Sequence, residues 1–483
     1  MRDSGLNPIQ ERVCNELRTI VGVEGVLTDQ AEVDCASVDF WWITQHALLQ
    51  GSCLPKPLAV VYPTSREEVV RIVALCNRHR LPLVPRGGGA GNCGGSTAIS
   101  GAIVLDTKRM DKILELNEKS LTVRVQPGII QKHLEEYLNA RGYTMNHLPA
   151  SFTTSTLGGF IGTNGSGILS SKYGKVSDMV HQIEVVLPSG KVFRSLPVRQ
   201  HSTGPDYSRL FIGAEGTLGV VTEAVCKIYA LPERRAFSTF LMPDLHMGIE
   251  GGRRVMQDGL QPCLMRLYDE KDTRHTLARE YGIEQEGCVL LLGFDGLERI
   301  VEVQSEIAAE LLCKGGGRDL GEKPARNWWE NRYKSYYPPN YLVGEPWMWD
   351  VMDTVAPYEK VETIYWGMRA VVEEGFSEVG AEFHAHFSHW YDWGTSFYPT
   401  FIVKHVPKDY AQSVQLYQRI VESCVQISIR NGGAMNEHHG VGVKLGRFMQ
   451  EIYGEGFELA EAVKNGLDPM HIMNPGKLGL GEW

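Results

Sequence analysis

Apolar positions recur at helical spacing after Ser65. Val69, Ile72, Val73 and Cys76 fall on one face, which predicts a helix from about Ser65 to His79 and Arg80. Ser65 and Glu68 have capping-box spacing, and the basic pair suits the negative end of the helix dipole. The apolar runs PLAVVYP before this helix and LPLVP after it read as buried strands. Farther on the period changes from helical to alternating. VHQIEVVLPSGKVFRS reads as a hairpin turning at Pro188, Ser189 and Gly190, and the stretch from Phe211 to Glu233 ends in an alternating strand.

Between these segments lie three glycine-rich tracts. The first, PRGGGAGNCGGS, contains a formal G-x-G-x-x-G at Gly89, Gly91 and Gly94. A nicotinamide-binding fold needs a crossover helix next. GGSTAISGAIVLD follows instead, too short and too rich in serine and glycine for that helix, so Asp106 mimics the expected acidic residue in the wrong architecture. The remaining readings are a plain turn or a loop whose convergent N–H groups face an anion. Two further tracts, Ser155 to Val180 and Phe211 to Glu233, also abut strands. Together the three suit one extended, phosphate-bearing ligand lying along main chain.

A chain of 483 residues exceeds one ordinary core, so two or three domains are expected. Net charge is −10 with no basic run, which argues against nucleic acid as a partner. Ten cysteines are scattered without C-x-x-C or zinc spacing, as expected for reduced thiols. No apolar run reaches the length of a membrane span, and neither an N-terminal signal core nor a peroxisomal ending is read. A cytoplasmic protein is expected.

PRGGGAG, STLGGFIGTNGSG followed by YGKVSDMV, EGTLGVVTE and the ending DPMHIMNPGK resemble the FAD-binding oxidoreductases of the vanillyl alcohol oxidase / p-cresol methylhydroxylase type. The resemblance covers residues 50 to 235 closely, together with the last fifty or so. It implies an α+β fold: a two-subdomain FAD-binding domain over 1–233 (core about 53–233), an α+β cap of antiparallel sheet and helices over 234–430, and a segment 431–483 packing back on the FAD domain. By the same resemblance the FAD contacts are Pro85, Arg86, Gly87, Gly88, Gly89, Ala90 and Gly91, then Pro149, Ser155, Thr156, Gly158, Gly159, Thr163 and Gly167, then Gly216, Thr217, Gly219, Val220 and Asn474. Some members attach flavin through a histidine in the first loop. Ala90 stands at that position, so non-covalent FAD is expected.

From residue 234 onward tryptophans accumulate: Trp328, Trp329, Trp347, Trp349, Trp366, Trp390 and Trp393. Most such residues belong to a core, but their density suggests a pocket with flat walls. His384, His386, His389, His438 and His439 invite a metal. Glycolate and D-lactate dehydrogenases of the superfamily hold one with H-A-G-D-G-N-L-H and G-E-H-G. On that alignment the ligands become Tyr391, Tyr398 and His438, so no metal is expected. YDWG with HHGVG instead resembles the metal-free branch that includes the alkyldihydroxyacetone-phosphate synthases. That implies Tyr391, His438, His439 and Arg266 as catalytic residues, with Arg332, Tyr398, His384 and Trp393 on the substrate. The expected reaction moves a hydride from a hydroxyl-bearing carbon of a bulky, aromatic or phenolic alcohol to flavin N5. The alternatives are a 2-hydroxy acid, a synthase-like reaction, and a non-enzymatic electron-transfer subunit. The expected partners are a small-molecule substrate and dioxygen or another acceptor, and the resemblance allows a homodimer.

Overall fold

The computed structural model describes residues 7–52, 54–274, 286–334 and 348–481. Ser65 caps the helix Arg66–His79, its hydroxyl accepting from the Glu68 N–H, and Arg80 ends it in the left-handed region at φ 52°. The expected capping box is not reciprocal, because the Glu68 carboxylate accepts the Thr64 N–H (2.6 Å) instead of that of Ser65. Val69, Ile72, Val73 and Cys76 are completely buried. They cover a four-stranded sheet ordered Val26–Leu27, Ala59–Val61, Ile103–Asp106, Leu83–Arg86, whose last three strands run parallel. Residues 91–102 are turns and bends, as the composition after the glycine loop requires.

A second, antiparallel sheet runs Ile113–Asn117, Thr122–Val125, Val220–Lys227, Val180–Val186, Val192–Arg194. Strict alternation of buried and half-buried residues along Val220–Lys227 turns one face to its own core. The hairpin closes as its sequence predicts, with Val186 opposite Val192.

The third sheet has eight antiparallel strands, the central ones being Cys288–Gly296, Leu264–Tyr268, Ala381–Trp390 and Gly394–Val403. Met265, Leu267, Phe383, Ala385, Phe387, Phe397 and Phe401 point into a core shared with helices Leu245–Gln257, Glu298–Lys314, Tyr358–Glu373 and Tyr410–Arg430. By the period of two, Arg266, His386, Ser388, Tyr398 and Ile402 occupy the opposite face. That face meets the glycine tracts. The helix Trp42–Leu49, within the stretch expected to belong to the FAD-binding domain, packs into this third sheet's core, with Trp41 Nε1 donating to the Tyr417 hydroxyl (3.0 Å). The C-terminal stretch returns to the first sheet, where Met473 bridges Leu83 in parallel.

Candidate active site

The three glycine tracts converge on one cavity of about 810 Å³. Gly87 and Gly88 carry no side chain because their loop lies directly on residues 154–156. A Cβ at Gly88 would run into the Thr154 carbonyl oxygen, and one at Gly87 into the Thr156 hydroxyl. Gly91, by contrast, faces open space. Ser155 Oγ and both ring nitrogens of His147 are buried in the cavity wall with no protein partner among the described residues. Such orphans call for a polar ligand. The size suits a cofactor, and the bare main chain and orphaned polar atoms fit FAD.

Pro85 to Gly91, Pro149, Ser155, Thr156, Gly158, Gly159, Thr163, Gly167, Gly216, Gly219 and Val220 all line this cavity. Two residues expected there do not. Thr217 is buried with its hydroxyl on the Ala214 carbonyl (2.8 Å). Asn474 donates to the Gly95 carbonyl (2.9 Å) and the Glu215 carbonyl (2.6 Å), tying two tracts together from behind. Arg86 is at the cavity, but its guanidinium donates to the carbonyls of Cys35, Ala36, Val38 and Ser96. Its charge braces the loop and is not directed at a diphosphate.

Two buried carboxylates organise the loop that carries the histidine pair. Asp353 accepts the N–H groups of Glu437 (2.8 Å) and His438 (2.7 Å) and the Nδ1–H of His439. Glu437 accepts from His438 Nδ1 (2.7 Å), His389 Nδ1 (2.8 Å), the Tyr391 hydroxyl (2.7 Å), the Ser166 hydroxyl (3.1 Å) and Lys175 Nζ (2.8 Å). Burial opposes charge on both acids, yet the histidines hold Asp353 and Glu437 well below the usual carboxylate range. Against the same burial, Asp353 and Glu437 raise His438 to about 9. Burial, aided by charged His438, lowers His439. With each Nδ1 held by a carboxylate, Nε2 is the nitrogen each ring has left, and both rings line the cavity. A register shift between Phe387 and His389 bulges the strand, so Ser388 and His389 both reach the cavity where regular pleating would alternate them.

The same wall carries two arginines. Arg266 donates to His386 Nε2 (2.6 Å) and the Tyr268 hydroxyl (2.8 Å) and lies over Trp328. Burial and Arg266 push His386 down to about 4, so the ring that accepts from it is neutral. Arg332 is half-buried over Trp329 and Tyr333, gives one N–H to the Trp329 carbonyl, and has an unpartnered Nε. Neither guanidinium has a carboxylate within salt-bridge distance among the described residues. Tyr398 also lines the cavity, stacked on His386 at 4.8 Å.

Three expectations need correction. Tyr391 does not line the cavity; its hydroxyl donates to Glu437 (2.7 Å), and burial beside that carboxylate pushes its pKa up. Trp393 is half-exposed and stacks on Tyr391 outside the cavity (5.3 Å). His384 shares the strand face of His386 but lies beyond the cavity lining. Glu437, next to the histidine pair, is buried behind the cavity wall. It forms one donor cluster with His389 and His438, and Asp353 forms another with His438 and His439. Of the tryptophans, Trp349 lines the cavity, Trp390 is core and Trp366 is exposed; Trp347 is outside the described residues. Asp353, Glu215, Lys175 and His147 were not singled out from sequence. Asp353 and His147 sit in no recognisable motif, whereas Lys175 and Glu215 lie inside YGKVSDMV and EGTLGVVTE, and Glu437 adjoins the histidine pair.

Comparison with known proteins agrees with this geometry. A model of the FAD binding domain matches residues 57–195, and one of the C-terminal domain of FAD linked oxidases matches residues 231–478. An alkyldihydroxyacetonephosphate synthase of Trypanosoma brucei brucei is 30% identical over 87% of this chain and 73% of its own. The glycolate oxidase subunit GlcD of Bacillus subtilis is 29% identical over 87% of this chain and 89% of its own. A solved alkyldihydroxyacetonephosphate synthase superposes with a TM-score of 0.82 at 25% identity, covering 97% of this chain and 86% of that one. The p-cresol methylhydroxylase type of fold implied by the sequence is the fold observed.

Proposed function

Since the chain belongs to the FAD-linked oxidase family and uses FAD, we propose that it oxidises a hydroxyl-bearing organic anion, a carboxylate or a phosphate ester. One observation carries this reading: Arg266 and Arg332, both without an acidic partner among the described residues, share a cavity wall with His438 and His439. A desolvated guanidinium without a counter-ion is costly, and the oxygens of a carboxylate or a phosphate satisfy its fork. The names of the relatives are compatible with both anion classes, one containing a phosphate and the other glycolate.

Bound FAD supplies the acceptor for the electron pair that leaves with the carbon-bound hydrogen. The chain's own residues do the rest. Arg266 and Arg332 fix the anionic end and so set the distance of the hydroxyl from the histidines. His439, neutral and donating Nδ1–H to Asp353, offers Nε2 as the base for the hydroxyl proton. Asp353 holds the tautomer and balances the imidazolium that forms. His438, already charged between Asp353 and Glu437, stabilises negative charge developing on the substrate oxygen. Tyr398, stacked on His386, closes the wall beside both.

An aromatic alcohol has weaker support, because among the described tryptophans only Trp349 lines the cavity. Anaerobic mixing of the yellow protein with 2-hydroxy acids, hydroxyl-bearing phosphate esters and uncharged aromatic alcohols tests the choice. Bleaching by a member of either anionic class is expected. Bleaching by uncharged aromatic alcohols alone overturns the proposal.

A further inference from the structure

His147 is completely buried, yet neither ring nitrogen meets a protein donor or acceptor among the described residues. Its position is not loose. Phe160 packs on the ring at 4.3 Å, and the Gln131 amide holds the His147 carbonyl at 2.8 Å. The next residue, Leu148, accepts the Ile168 N–H (3.0 Å), which sets His147 beside Ser166 and Gly167 in the cavity lining. Ser166 in turn donates to Glu437, the partner of His389. The imidazole therefore belongs to the wall where the glycine tracts meet the histidine cluster. His147 is among the residues lining the cavity but takes no part in the Asp353–Glu437 network.

We propose that His147 is a hydrogen-bonding partner of the polar edge of the FAD isoalloxazine ring. The inference rests on FAD as the cofactor and not on the anionic substrate. Burial near His389 holds the ring down to about 3, so it is a neutral imidazole with one N–H and one lone pair. The edge of the flavin offers both acceptors and an N–H, and a buried imidazole left without either would carry the cost of two unsatisfied polar atoms. A donor on that edge favours the electron-rich reduced ring over the oxidised one. By linkage, tighter binding of the reduced form raises the midpoint potential.

The test replaces His147 by phenylalanine, which keeps a ring, and by glutamine, which keeps a donor and an acceptor. Readouts are the FAD dissociation constant, the visible spectrum and the midpoint potential, none of which needs a substrate. H147F is expected to loosen FAD at least tenfold and to bind reduced FAD about tenfold less favourably relative to oxidised, a drop of roughly 30 mV for a two-electron couple. H147Q is expected to recover most of both changes, which also answers for folding. Unchanged affinity and potential in H147F would overturn the assignment, as would H147Q losing as much as H147F. Wild-type protein that refuses FAD would instead remove the flavin reading itself.

Discussion

His439 and His438 sit side by side, with ring centroids 4.0 Å apart, but are prepared for opposite protonation states. His439 is lowered and His438 raised to about 9, so they titrate as a coupled pair. If neutral His439 and charged His438 are both required, kcat/KM climbs as pH rises through the lowered His439 value, stays level around neutrality and declines as pH passes about 9. A profile still rising beyond that point would remove the charged His438 from the mechanism. Replacing His439 by glutamine removes the base and is expected to cut kcat on the order of a hundredfold or more while leaving the flavin spectrum intact. Arg266→Gln should raise KM for the anionic substrate, with a loss in kcat/KM of about 2–5 kcal/mol if the pair is buried. Tyr391→Phe removes one hydrogen bond to Glu437, which four other groups still serve, so turnover should change by no more than a few-fold. Both donor clusters are internally hydrogen-bonded, and Lys175 already balances Glu437. Dialysis against a chelator should therefore leave turnover unchanged; loss restored by a divalent ion would establish the metal site that the sequence argues against.

At the level of elements, the loop 436–442 owes its shape to two carboxylates from different lobes. Asp353 holds it from the third sheet, and Glu215 accepts the Val441 and Gly442 N–H groups from the glycine tract. Glu215 is buried, which pushes it up to about 7 despite those donors. Asp353→Asn leaves an acceptor for the main chain but withdraws a negative charge from His438. The alkaline limb of the pH profile should then move to lower pH, which a kcat/KM titration of the variant would show. The helix 66–79, the hairpin and the turn-rich stretch after the first glycine loop were legible because each follows from local spacing. The bulge at Phe387 and His389 was not, since register shifts depend on the partner strand Gly394–Val403. The hydroxyl of Tyr391, expected at the substrate, turns instead to Glu437, a contact that no local spacing announces.

Across the whole molecule, function depends on three sheets meeting at one cavity, and the C-terminal stretch keeps two of the participating tracts in place. Lys464, completely buried in helix Phe457–Leu467, donates to the Thr217 and Met473 carbonyls and to Asp468. It thereby joins the tract before Val220 to the strand that bridges Leu83. Lys464→Ala would strand the buried Asp468 carboxylate, a loss of about 3–5 kcal/mol that urea unfolding would reveal, with weaker FAD retention alongside. The helix Trp42–Leu49 is a second tie, since it packs into the core of the third sheet. Among the described residues no helix is long and apolar enough to cross a membrane.

From sequence alone came the cofactor class, the exclusion of a nicotinamide crossover, and the glycine-tract residues that line the cavity. Glycines that must touch other main chain are marked in the chain itself, whatever surrounds them. What the fold alone decided was which charged groups meet. Asp353 and His147 reach the site from segments about two hundred residues apart, and nothing local distinguishes them. Protonation states followed from that meeting, because burial and the number of opposing charges within a few ångströms set them, and both are properties of the packed molecule.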